Sequence, residues 1–404
     1  MAKIYGWTGK ILRVDLSREK ITMIDTMKYG PKFVGGLGVA AIIQWEEVGS
    51  DVGPFDSENR LMLMVGPLTG TLASGAGRVE IMGIAPQLHP PRFSRSGMGG
   101  HWGAELKYTG YDGVVVTGRA EKPVYLWLND GQVEIRDAAH LWGNGTYATT
   151  SALRATHGQR TRVISCGQAG ENLAGIAVIQ TETGNAAGQG GYGAVMGSKN
   201  LKAIAVQGAG SVKIARPIEF LNLCLSSKQE LLMPRRPGGP SRGFEERPEP
   251  NLNYRLRKCG FCMSDWCAHR LYINVPGEHL PGTYTAARQC YGYMTATSER
   301  AHTEARALTS DYGINGWEVS YGIIPWLELC RQEGLIDAID GLEIPIPEKP
   351  IEYLRDIAPV SAEFLSTLLH KIAFREGPMG SALADGACYA ADRLFDGEGK
   401  PLLD

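Results

Sequence analysis

The chain has no run of eighteen or more apolar residues, so nothing in it reads as a membrane-spanning helix. Its start, Met1-Ala-Lys-Ile-Tyr-Gly, carries neither the apolar core nor the small-residue cleavage site of a secretory leader, and a cytoplasmic setting is expected. An excess of one charge is lacking too. The formal net charge is −2 over 404 residues, which gives no electrostatic argument for nucleic acid or a membrane surface as partner. No Walker motif occurs, and no G-x-G-x-x-G lies between a strand and a helix, so neither a P-loop nor a dinucleotide site is expected. Internal repeats and low-complexity tracts are also absent. Of the eight cysteines, five (Cys166, Cys224, Cys290, Cys330 and Cys388) are scattered, which fits a reducing compartment better than a disulfide framework.

The other three cysteines cluster in Cys259-Gly-Phe-Cys262-Met-Ser-Asp-Trp-Cys267-Ala-His269. C-x2-C-x4-C spacing brings three thiols within reach of one inorganic centre, and thiolates are the natural ligands of iron–sulfur clusters. Two alternatives stand beside that reading. A structural zinc would need a fourth ligand, and His269 follows Cys267 too closely for good geometry. A disulfide with a spare thiol is the other.

Glycine is abundant: 52 residues, concentrated before position 215 in short clusters. Such clusters let the backbone approach a ligand closely. One lies at Gly35-Gly-Leu-Gly38, a second at Gly75-Ala-Gly77 followed by Arg78, and a third places four glycines within Gly97–Gly103 ahead of a helix start at Ala104-Glu-Leu-Lys. The richest, Gly184 to Asn200, reads as a phosphate-type loop ending in the strand Leu201–Val206. Four separate loops point to one bulky ligand gripped from several sides. Arg78 is placed to pair with a phosphate or a ring oxygen, or else forms a surface ion pair.

The fold class expected is α+β. A β-rich domain spans 1–210, with hairpins at 11–24 and across Asn129-Asp-Gly131, a buried strand at 61–65 and a helix near 147–156. A proline- and charge-rich loop, 234–250, opens a mainly helical domain, 211–404. Helices are expected at 298–309, 317–333, 362–376 and 379–394, with Asp311–Glu318 as a turn between two of them.

Taken in order, Gly6-Trp-Thr-Gly-Lys-Ile-Leu-Arg-Val-Asp-Leu, Gly66-Pro-Leu-Thr-Gly-Thr, Leu106-Lys-Tyr-Thr-Gly-Tyr-Asp-Gly, Ala169-Gly-Glu-Asn-Leu and Gly193-Ala-Val-Met-Gly-Ser-Lys-Asn-Leu-Lys-Ala-Ile-Ala-Val make the chain resemble the aldehyde:ferredoxin oxidoreductase family over nearly its whole length. The resemblance implies a tungsten (or molybdenum) bis-pyranopterin, Mg2+ bridging the pterin phosphates, and a 4Fe–4S cluster with Cys259, Cys262 and Cys267 as ligands. It carries Arg78, Gly97, Gly99, Asn185, Ala186, Gly188 and Gln189 onto pterin-contacting positions; the family's usual residues at 97 and 185 are Asn and Arg. Asp311 heads the D-x-x-G-[LI]-[DN] motif, closed by Asn315, whose carboxylate accepts from pterin ring N–H groups in the family. Without the resemblance, Asp311 reads as a helix N-cap.

Three departures bear on the reaction. The third cysteine follows after four residues where three are usual. The fourth cluster cysteine, the second D-x-x-G motif and a third helical domain do not appear within the chain, and truncation of a longer polypeptide is the expectation. The glutamate of the aldehyde enzymes is not at its usual distance, and Thr283–Cys290 occupies that region. Class II benzoyl-CoA reductases belong to the same family and use a cysteine ligand to the metal; Cys290 is a candidate for that role, against a buried structural thiol. Glu299, His302 and Glu304 share one helix as proton-relay candidates, against a solvated helix face. The resemblance thus implies an oxidoreductase of an anaerobe, an oligomer, passing electrons to ferredoxin or an Fe–S partner subunit. Its substrate would be an aldehyde, or alternatively an aromatic acyl-CoA. A reading of another class, an electron-transfer or scaffold subunit without the catalytic metal, also follows from the missing third domain.

Overall fold

The computed structural model describes residues 4–182, 184–231, 253–257, 259–260, 270–274, 281–285, 296–347 and 357–403. Two six-stranded mixed sheets form the first half. The first contains β1 (Lys10–Asp15), β2 (Lys20–Asp25), β3 (Leu61–Val65), β4 (Val79–Ala85), β5 (Arg92–Met98) and β6 (Gly113–Thr117), in the order β2-β1-β6-β3-β4-β5. The second contains β7 (Val124–Asn129), β8 (Gln132–Asp137), β9 (Arg162–Ser165), β10 (Ile179–Thr181), β11 (Ala186–Ala187) and β12 (Leu201–Gln207), in the order β11-β10-β9-β12-β7-β8.

The period-2 alternation of side chains explains how the layers stack. In the first sheet Ile11, Met62, Met64, Met82 and Val115 point to one face, where the helix Gly36–Glu47 packs through Val39, Ala40 and Ile43. Their neighbours Leu12, Val14, Leu61, Leu63, Val114 and Val116 point the other way. There they meet the inner face of the second sheet and the helices Trp102–Tyr108 and Tyr192–Ser198. β3 is buried on both faces, which is why Leu-Met-Leu-Met-Val reads as an unbroken apolar run. Outside the second sheet, Tyr125, Trp127, Ala203 and Ala205 pack on the helix Thr146–His157. The expected hairpins are present: β1 pairs with β2, and β7 with β8 across Asp130 and Gly131, both at positive φ as a tight turn of this kind demands.

Beyond 210 come a helix, Pro217–Leu231, and a three-stranded sheet of Asn253–Arg257, Arg270–Asn274 and Pro281–Thr285, which the sequence reading did not foresee. The remainder is mainly helical, with Glu299–Tyr312, Gly316–Glu318, a π-turn over Val319–Ile323, Ile324–Gln332 and Ala362–Phe374, and one short antiparallel pair, Ala338–Ile339 with Leu342–Glu343. The single helix expected over 379–394 is two, Gly377–Leu383 and Ala387–Arg393, parted at Gly386, whose φ of 104° no ordinary helix accommodates. The α+β expectation holds. The helical core also takes Ala169, Ile176, Ala177 and Ala194 from the chain before 210, so the two regions share an interior. The 234–250 loop lies outside the described residues.

Candidate functional site

Three glycine loops come together where β5, at the edge of the first sheet, approaches the short strand β11, at the edge of the second. Arg78, leading into β4, lies with its guanidinium across Gly97 of β5; a Cβ at 97 would fall inside contact distance of Nη1. Glycine at 97 therefore makes room for a cation in place of a side chain. Gln189 donates its backbone N–H to Ser96 Oγ at 3.2 Å, which fixes the Asn185–Gln189 loop against the same strand. Among the described residues no atom lies within 4 Å of where a Cβ on Gly75 or Gly188 would stand.

Cys259 enters this cradle. The backbone N–H of Gly260 donates to Gly100 O at 3.1 Å, and a Cβ on Gly77 would come within 3.0 Å of Gly260 O. The thiol of Cys259 lies 3.3 Å from Oδ1 of the buried Asn185. A Cβ on Gly99 would meet Asn185 Oδ1 at 2.9 Å and Cys259 Sγ at 3.2 Å, so the approach of these groups depends on glycine. The structure thus brings together Arg78, Gly97, Gly99, Asn185, Ala186, Gly188, Gln189 and Cys259. Cys262, Cys267 and Cys290 lie outside the described residues. Among the described residues no three His, Cys, Asp or Glu side chains converge on a point.

Asp311 and Asn315 are held by other contacts. Asp311 sits in the last turn of Glu299–Tyr312, and its Oδ1 accepts from Tyr147 N at 3.0 Å, at the amino end of Thr146–His157. Burial raises its pKa from the ordinary carboxylate value, opposed by that N–H and by the charge of Lys202. Asn315 caps the next helical turn, accepting from Trp317 N at 3.1 Å, and donates to Gln87 Oε1 at 3.3 Å. The helix Glu299–Tyr312 carries the relay candidates. His302 is buried on it and Glu304 half-buried, while the side chain of Glu299 lies outside the described residues.

Gln87 is the residue that sequence reasoning passed over. It lies in the turn between β4 and β5, where its Oε1 accepts from Gly190 N at 2.8 Å and from Asn315, while its Nε2 donates to Glu318 Oε2 at 3.2 Å. Glu318 in turn accepts from Ala387 N at 2.9 Å. One amide therefore ties the glycine loop to the Asp311–Asn315 segment and the last helices. The residues it joins are more than a hundred positions away in sequence, so no local signal marks it.

The cradle fits the groups that the sequence implies. Glycines that meet no described side chain, beside a guanidinium, suit an anionic, flat ligand, and the first thiol of a C-x2-C-x4-C motif stands at its edge. Comparison with known proteins defines the class. Residues 11–208 match the aldehyde ferredoxin oxidoreductase N-terminal domain. The tungsten-containing aldehyde ferredoxin oxidoreductase of Pyrococcus furiosus is 42% identical over 433 residues, covering 99% of this chain and 69% of that protein. The protein of the same name from Pyrococcus abyssi is 31% identical, covering 97% of the chain and 68% of that protein. A solved structure, the active site complex BamBC of benzoyl coenzyme A reductase with 1,5-dienoyl-CoA, superposes with a TM-score of 0.80 at 27% identity, covering 98% of this chain and 64% of that one. The chain belongs to the aldehyde ferredoxin oxidoreductase family, a family of oxidoreductases. It spans about two thirds of the length of these relatives.

Proposed function

We propose that the chain is the pterin- and cluster-binding part of a tungsten (or molybdenum) bis-pyranopterin, 4Fe–4S oxidoreductase that oxidises an aldehyde to its carboxylic acid, with ferredoxin or an Fe–S subunit taking the electrons. The observation that carries this reading is the approach of the Cys259 thiol, the first of the C-x2-C-x4-C motif, to the loop Asn185–Gln189 beside Arg78. When bound, the metal supplies the two-electron chemistry at the substrate carbon.

The chain's own residues do the positioning. Arg78 would neutralise a phosphate or polarise a ring oxygen, the backbone at Gly99 and Gly188 would leave room for the ligand, and Cys259, with Cys262 and Cys267, would ligate the cluster. Asp311, whose Oδ1 accepts from Tyr147 N, would also hold a pterin ring N–H through its carboxylate. Glu299 and His302, three residues apart on one helix face, and Glu304 are the groups that would take up the two protons released as a water oxygen joins the substrate. The aldehyde reading is supported by the 42% identity across 99% of the chain.

A second reading, reduction of an aromatic acyl-CoA with Cys290 as metal ligand, is favoured by the likeness to the benzoyl-CoA reductase complex. Anaerobic assays of the full protein separate the two. Dye reduction that requires an aldehyde supports the first, and oxidation of a reduced low-potential dye that requires an aromatic acyl-CoA supports the second. Activity with neither, in protein loaded with tungsten and iron, contradicts both.

A further inference from the structure

We infer that the side-chain amide of Asn185 donates an N–H···S hydrogen bond to the Cys259 thiolate of the cluster and so raises the cluster's reduction potential. This rests on the reading of Cys259 as a cluster ligand.

The geometry begins with the backbone. Asn185 N donates to Thr181 Oγ1 at 2.9 Å and Asn185 O accepts from Thr181 N at 2.8 Å, so the residue is pinned at both ends of a tight turn. Gly184 completes the turn at a φ of 68°. With its backbone fixed, the short side chain has little freedom of direction, and it reaches Cys259 Sγ at 3.3 Å. Asn185 is only 2% exposed, so bulk water does not compete for the contact. Gly99 supplies the gap through which the two groups meet, since a Cβ there would crowd both.

Chemistry then fixes the polarity. A protonated thiol donates to the amide oxygen. A thiolate bound to iron has no proton, and an oxygen facing it would repel. The amide of asparagine presents an oxygen at one end and an NH2 at the other in nearly the same shape, and a half-turn about its last torsion exchanges them. The NH2 therefore faces the sulfur in the loaded protein. A hydrogen bond to a cluster sulfur draws off negative charge and favours the reduced cluster, which carries one more electron. Asn185 belongs to the loop of the pterin cradle, so the same residue joins the cradle to the cluster.

The test is EPR-monitored potentiometry on anaerobically purified full chain, with iron and acid-labile sulfide counted on each sample. Asn185→Leu keeps the side-chain size and removes the donor. The expected result is an unchanged iron and sulfide content with a midpoint potential shifted to more negative values. Equal midpoints at equal iron content overturn the inference while leaving the cluster reading intact. A wild-type chain that holds no iron overturns the cluster reading, and the inference with it. A measurement on the wild-type chain alone covers the case in which the variant loses its cluster. With isotopically labelled asparagine side-chain nitrogen, the reduced cluster should show a hyperfine-coupled labelled nitrogen, and its absence overturns the inference.

Discussion

The carboxylate of Asp311 accepts the backbone N–H of Tyr147 at 3.0 Å across 164 residues of chain. This bond welds the end of one helix to the start of another, and Gly145 has no side chain because the carboxylate fills the space a Cβ would take. A negative group at a helix amino end is favoured by the free N–H groups there. Asp311→Asn retains an oxygen for Tyr147 and should cost well under about 1 kcal/mol, whereas Asp311→Ala should cost about 1–2 kcal/mol. Denaturant titration separates the variants, and a parallel pterin assay shows whether Oδ2 also holds the cofactor. Pterin content falling in Asp311→Asn with stability intact is the expected outcome.

Gly97→Ala should lower tungsten and pterin content with little loss of secondary structure. Its methyl group displaces the Arg78 guanidinium from the floor of the cradle, and Arg78 is an exposed side chain free to move aside. Metal analysis and pterin fluorescence after oxidative release check this. Retained tungsten would show that Arg78 makes no contact that matters.

The glycines after 184 divide into two kinds, and a pair of substitutions tells them apart. Gly197 lies where the helix Tyr192–Ser198 touches the backbone of Gly170, and a Cβ there would overlap the Gly170 carbonyl. Gly197→Ala should destabilise by about 2–3 kcal/mol or prevent folding. Gly188 meets no described residue where a Cβ would stand, so Gly188→Ala should change stability by less than about 0.5 kcal/mol and instead reduce pterin occupancy. Chemical denaturation paired with cofactor counts gives both readouts.

Glu328 is fully buried, its Oε2 accepting from Ala358 N at 3.2 Å while Oε1 finds no hydrogen-bond partner among the described residues. Burial pushes its pKa up to about 8. The folded state therefore holds a proton that the unfolded chain releases near the ordinary carboxylate value. Stability from this group is complete below that ordinary value and declines as pH rises from there through about 8. Glu328→Gln should remove the decline, gaining on the order of 3 kcal/mol at pH ~8.5 relative to wild type when both are referenced to pH ~5. Denaturation curves at the two pH values measure it, and parallel pH dependence in wild type and variant would contradict the assignment.

Much of the β-rich half was legible because its signals are local. The alternation in β1 and β2, the Asn129-Asp130-Gly131 turn and the all-apolar β3 each determine their own conformation. The stretch Gly184–Asn200 was read as one ligand loop, yet its second half is a helix, and Gly193 and Gly197 are there for close backbone packing. Glycine composition alone does not separate these two uses. In the structure Gly97 lies against Arg78 and Gly99 against Asn185. The Gln87 links, the Asp311–Tyr147 bond and the Asn185–Cys259 contact were illegible because each joins elements more than seventy residues apart. The readings placed on Cys262, Cys267 and Cys290 fall outside the described residues.

The most direct test of the account is a count of tungsten, molybdenum, iron and zinc in anaerobically purified protein. The account predicts tungsten or molybdenum together with about four irons per chain. Zinc alone, or iron with neither tungsten nor molybdenum, would contradict it.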